Sequence, residues 1–119
     1  MERMNPRAKG SKGEDLAVKY LMKKGFKIVK RNFVFGRGEI DIVAEDGNIL
    51  VFVEVKARKS NAYGTPEESI TVGKRRQLRR IAEGYMYVNK IDNRECRFDA
   101  IAIEYKEGKA EIRHLVNAF

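Results

Sequence analysis

The chain has 119 residues, enough for one domain with its own hydrophobic core and too few for two of ordinary size. Its 25 Lys and Arg against 17 Asp and Glu leave a net charge of +8, which favours a polyanionic partner, nucleic acid before an anionic membrane surface. One cysteine, Cys96, excludes an internal disulfide and suits a reducing compartment, and no apolar run approaches the roughly 18 residues of a membrane span.

Residues 1–10, "MERMNPRAKG", read as a basic flexible arm without the apolar stretch of a signal peptide. The expectation is therefore a soluble, cytoplasmic protein with no membrane partner. Residues 11–119 read as a single domain. From Ser11 to Lys24, Leu16, Ala17, Tyr20 and Leu21 recur at helical spacing, with Ser11 and Glu14 spaced as a capping box and Gly25 as the stop. "FKIVKRNF" alternates as a first strand, "FGRG" turns, and Glu39–Glu45 form a second strand. "EDGN" signals a hairpin into a third strand, Ile49–Arg58. "KSNAYGTP" reads as a loop. A second helix is expected over Val72–Asn89, with Leu78, Ile81, Ala82, Tyr85 and Met86 inward and Lys74, Arg75, Arg76, Arg79 and Arg80 outward. "ECRFDAIAIEY" is apolar enough for a central strand, and "KEGK" turns it into a last strand over residues 110–116. The order α-β-β-β-α-β-β makes the second helix a crossover, so the fourth strand should run parallel to the third in a mixed α/β sheet of about five strands.

The stretch "GEIDIVAEDGNILVFVEVKAR" places charges inside apolar strands, where each costs several kcal/mol unless paired, exposed or coordinating. Side chains alternate along a strand, so Glu54 and Lys56 share a face, as Asp41 does with Glu39 and Val43. A two-residue turn at Asp46-Gly47 sets Asp41 opposite Phe52, diagonal to Glu54. A four-residue loop, Asp46–Ile49, sets Asp41 directly opposite Glu54. Either even loop brings Asp41, Glu54 and Lys56 to one face, whereas an unbulged three-residue loop separates them. Two adjacent carboxylates raise each other's pKa unless a cation lies between them, and Mg²⁺ suits one or two carboxylates completed by water and phosphate oxygens. Lys56 would then stand beside that ion, placed to position a water and stabilise charge on a phosphate. Glu14, on the shoulder of the first helix's apolar stripe, could reach over the sheet towards it.

An early-helix Glu, an Asp, a Glu-x-Lys and a basic helix together resemble the PD-(D/E)xK (restriction-endonuclease-like) nuclease superfamily, in its Holliday-junction-resolvase-like branch. A closer resemblance is to the bacterial YraN-like family, through "GE-LA--YL---G", "GEIDIVA", "VFVEVKAR" and "RFDAIAIE", which together span nearly the whole chain. The resemblance implies a restriction-endonuclease-like fold, Asp41 and Glu54 as ligands of Mg²⁺ or Mn²⁺, Lys56 as catalytic lysine and Glu14 as auxiliary acid. Related helicase-associated nucleases carry Gln-x-x-x-Tyr on the second helix. Here Gln77 is followed by Ile81, so that role is not carried over.

The expected function is an endonuclease on structured or branched DNA, with DNA ahead of RNA as partner and a homodimer left open. Phosphate contacts are expected from Arg58, Lys74, Arg75, Arg76 and Arg79. The rivals are a non-catalytic nucleic-acid-binding protein that retains the nuclease fold, and a scaffold whose acidic pair is an inter-strand ion pair. Glu39 is expected to be a solvated strand residue, Asp99 a structural partner of Arg97, His114 a surface or packing residue, and Tyr63 a loop residue able to stack on a base. One cysteine and one histidine in unrelated positions exclude a Cys/His or Ser/His/Asp nucleophile system.

Overall fold

Residues 11–59 and 64–119 are described by the computed structural model; the basic arm, the Ser11 side chain and Tyr63 lie outside the described residues. Helix α1 (Ser11–Lys23) carries Glu14 in its first turn and Lys23 in its last, matching the helix dipole at both ends. It stops because Gly25 turns left-handed at φ 93°, letting the Phe26 N–H donate back to Leu21 O at 3.0 Å. Strands β1 (Lys27–Phe35), β2 (Gly38–Asp46) and β3 (Ile49–Lys59) form a meander. A 3₁₀ turn, Pro66–Ser69, leads into α2 (Val72–Val88), and β4 (Cys96–Lys106) and β5 (Lys109–Leu115) complete the chain. The 3₁₀ turn partly overlaps the stretch read as a loop; its Pro66 fixes the φ that such a turn needs.

The sheet order is β1-β2-β3-β4-β5, parallel between β3 and β4 and antiparallel elsewhere, so α2 is the crossover that the element order predicts. Each sheet face buries one helix. Ala17 and Leu21 of α1 pack on Ile42, Val53, Ile101 and Ile103. Leu78, Ile81 and Tyr85 of α2 pack on Ile40, Val43 and Phe52 on the other face. Close approach of α2 to β1 requires Gly84, where a Cβ would stand 2.5 Å from the Phe35 ring.

A buried carboxylate anchors the α1 face. Asp99 is 0% exposed and accepts hydrogen bonds from Arg97 Nε and Nη2, both at 2.9 Å, and from the Asn117 amide at 2.9 Å. His114 Nε2 lies 2.7 Å from its Oδ2 and is itself packed edge-on by Tyr20 and Phe26. Burial alone would raise the Asp99 pKa, but the His114, Arg97 and Asn117 contacts hold it below the usual carboxylate range. Asp99 is thus the structural partner expected for Arg97, and His114 belongs to the same network as a packing residue. Asp99→Ala should cost about 3–5 kcal/mol, because it takes from His114 and the Asn117 amide their carboxylate partner and leaves the Arg97 guanidinium with Asp46 alone. Urea unfolding measures this; a loss below about 1 kcal/mol would contradict the anchoring role.

Candidate active site

The β2–β3 hairpin turns through Gly47 and Asn48, with Asp46 paired to Ile49. The loop has two residues, one place later than the Asp46-Gly47 turn considered from sequence. This gives the register of the four-residue alternative and sets Asp41 opposite Glu54. The backbone pairs run from Asp46–Ile49 to Ile42–Val53 and end there. Beyond that point the Val55 N–H donates to Asp41 Oδ2 at 2.8 Å, so a side chain takes over a backbone acceptor's role.

Strict alternation through β2, expected from sequence, fails at this place. Ile40 and Val43 both join the α2-side cluster although three residues apart, which an unbroken pleat would forbid. On the neighbouring strand, Arg31 pairs with Ile42 and Phe33 with Ile40, while Asn32 between them adopts φ 54°. Asp41 therefore sits at a break in the pleat. It can influence Glu54 on β3 and Glu14 on α1 at once.

Burial, then the Glu54 charge, pushes the Asp41 carboxyl up to about 7, against the opposing pull of the Val55 amide and Lys56; a carboxyl–carboxyl hydrogen bond with Glu54 adds to the rise. The Glu54 side chain is only 4% exposed, and its Oε2 lies 3.7 Å from Lys56 Nζ and 3.4 Å from Lys74 Nζ. Burial and the Asp41 charge likewise push Glu14 up, countered by Arg31 and Asn32. Arg31 Nη2 stands 3.5 Å from Glu14 and 2.8 Å from Asp15.

Asp41, Glu54 and Lys56 are thus brought together, and Glu14 lies within electrostatic reach of Asp41. Among the described residues no three His, Cys, Asp or Glu side chains gather closely enough to hold a metal, so the carboxylate core of the site is the Asp41–Glu54 pair. That pair fits a hard divalent ion: a buried carboxyl driven towards its protonated form by its neighbour lacks a positive charge, and Mg²⁺ accepts two protein oxygens with the rest from water or phosphate.

The basic residues do not form one uniform surface. Arg75, Arg76, Arg79 and Arg80 are all exposed on α2, and of these Arg79 lays its guanidinium over the Phe98 ring at 4.9 Å. Arg58 is half-buried on β3, two residues beyond Lys56. Lys74, expected on the outer face, reaches inward to Glu54. The helical pattern gives no sign of that contact, since it depends on how α2 lies across the sheet. Arg31 and Asn32 are further neighbours of the site that alternation alone did not single out. Glu39 is half-buried at the start of β2 rather than fully solvated.

The Asp41 shift has a consequence for stability. Between about pH 4, where an unfolded aspartate titrates, and about 7, where Asp41 does, the metal-free folded protein holds a proton that the unfolded chain has released. Stability should therefore fall as pH rises through that window, and Asp41→Asn should remove most of the slope. Urea unfolding in EDTA at pH 5 and 7.5 measures it; identical slopes in the two proteins would contradict the assignment.

Residues 13–103, which include Glu14, Asp41, Glu54, Lys56 and Lys74, match the model of the Uncharacterised protein family UPF0102. A UPF0102 protein of Caldicellulosiruptor saccharolyticus is 43% identical over 118 residues, covering 98% of this chain and the full length of the relative. One from Carboxydothermus hydrogenoformans is 42% identical over 114 residues, covering 96% and 97%. Another, from Geobacter metallireducens, is 46% identical over 110 residues, covering 92% and 90%. With the family model and near-full-length relatives in agreement, the chain belongs to the UPF0102 family.

Proposed function

We propose that this protein is a nucleic-acid-binding enzyme, a Mg²⁺- or Mn²⁺-dependent endonuclease acting on structured or branched DNA. The observation that carries the reading is the half-buried Asp41 carboxyl, pushed up to about 7 beside the buried Glu54. Ion pairs with Lys56 on the same strand and Lys74 on α2 account for the Glu54 charge, and the Val55 amide gives Asp41 one partner, but neither explains why a second carboxylate is held against the first. The resemblance of "GEIDIVA" and "FVEVK" to PD-(D/E)xK nucleases supports the same chemistry.

A divalent ion between Asp41 and Glu54 would offset both carboxylate charges and supply Lewis acidity towards a phosphodiester oxygen and an attacking water. The residues of the chain do the rest. Lys56, partly exposed beside Glu54, is placed to stabilise negative charge growing on the phosphate and to orient the water. Glu14, raised towards its protonated form, is an auxiliary acid near Asp41. The exposed Arg75 and Arg76 draw the DNA backbone towards the α2 side of the sheet, with Arg58 and Arg79 flanking them.

One observation favours a second reading, a DNA-binding protein without turnover: Lys56 and Lys74 offset the Glu54 charge from within the chain. Cleavage of single-stranded, duplex, flap and four-way-junction DNA with Mg²⁺ or Mn²⁺ separates the two. The wild-type protein should cut at least one substrate. Asp41→Asn should lose metal affinity and cleavage while binding DNA at least as tightly. Lys56→Ala should keep the metal and lose about 10²- to 10³-fold in rate. A wild-type protein that binds DNA, binds no Mn²⁺ and cuts nothing would establish the second reading.

A further inference from the structure

Helix α2 opens against the usual electrostatic rule. Its first turn contains no acid, and Lys74, Arg75 and Arg76 crowd the end where the helix dipole is already positive. Thr71 caps the helix, its side chain accepting from the Lys74 N–H at 3.2 Å, so the backbone is held while the charges stay locally unfavourable. Such a conflict between local preference and fold is expected where a chain serves an anion. Within the chain the anion is Glu54, whose Oε2 holds Lys74 from α2 and Lys56 from its own strand.

We propose that Lys74 is a phosphate-binding residue of the DNA substrate, parked on Glu54 until a divalent ion displaces it. The inference rests on the metal-dependent reading above. Glu54 already carries two ammonium groups on one oxygen, so a divalent ion arriving there meets like charge at close range and favours departure of the ammonium that is free to move. Lys56 is fixed two residues from Glu54 on the same face of β3. Lys74 arrives from another element and is partly exposed, so it can swing outward to where Arg75 and Arg76 face solvent. The exchange turns a site cation into a phosphate contact, and ion and DNA then bind with positive coupling that must be reciprocal.

Two measurements test this. Mn²⁺ affinity of the DNA-free protein is read by water-proton relaxation, and four-way-junction affinity is read in EDTA and in Ca²⁺. Lys74→Gln should bind Mn²⁺ more tightly by at least about fivefold, the lower end of ordinary coupling between sites. Ca²⁺ should strengthen junction binding by the wild-type protein, and that gain should disappear in Lys74→Gln. Lys74→Arg should keep it. Arg80→Gln, which removes the same charge elsewhere on α2, should leave both readouts as in the wild type. Equal Mn²⁺ affinities for wild type and Lys74→Gln, or an equal effect from Arg80→Gln, would overturn the exchange while leaving the metal site standing. Failure of Mn²⁺ to bind any of the proteins would overturn the metal-dependent reading and the exchange together.

Discussion

The hydrogen bond from the Val55 N–H to the Asp41 carboxylate governs the geometry of the whole site. Sheet backbone groups must find partners, and here β2 leaves β3 just after the Ile42–Val53 pair. The Asp41 side chain accepts the amide that the separating strand no longer serves. Holding Asp41 there brings it against Glu54, and burial together with that second charge outweighs the amide's support for the ionised form. The result is a carboxylate pair whose charge is only partly compensated by its surroundings.

The same fold contains a counterexample that sharpens this. Asp99 and Asp41 both lie on or beside the central strands, yet their environments move them in opposite directions. Asp99 is ringed by the Arg97 fork, His114 and a backbone amide, and stays ionised as a structural anchor. Asp41 has one amide, the weaker pull of Lys56 and an acidic neighbour. Titratable groups whose surroundings push them apart mark a division of roles, one carboxylate kept for packing and one kept available. Asp99 lies on β4, covered on both faces and fully buried, whereas Asp41 lies on β2 and is only half-buried.

Most of the fold was legible in the sequence because each element declares itself locally. Leu78, Ile81 and Tyr85 keep helical spacing, and the apolar run from Phe98 to Ile103 needs a doubly covered strand. Hairpin parity made the approach of Asp41 to Glu54 legible, and alternation that of Glu54 to Lys56, although the loop sits one residue later than the turn signal suggested. Alternation could not reveal the broken pleat at Asp41, because it arises from the fit of Asn32 and β1 against β2. Nor could it reveal Lys74 on Glu54 or His114 on Asp99, since both contacts join segments distant in sequence whose relative placement is set by core packing.

The central claim is that Asp41 and Glu54 form a coupled pair awaiting a cation. The most direct measurement is a ¹³C NMR titration of the Asp41 side-chain carboxyl, metal-free and then with Mg²⁺. The account predicts a metal-free transition near 7 that moves well down in pH when Mg²⁺ is added, because the ion takes the place of the proton. A transition in the ordinary aspartate range that Mg²⁺ leaves unmoved would contradict it.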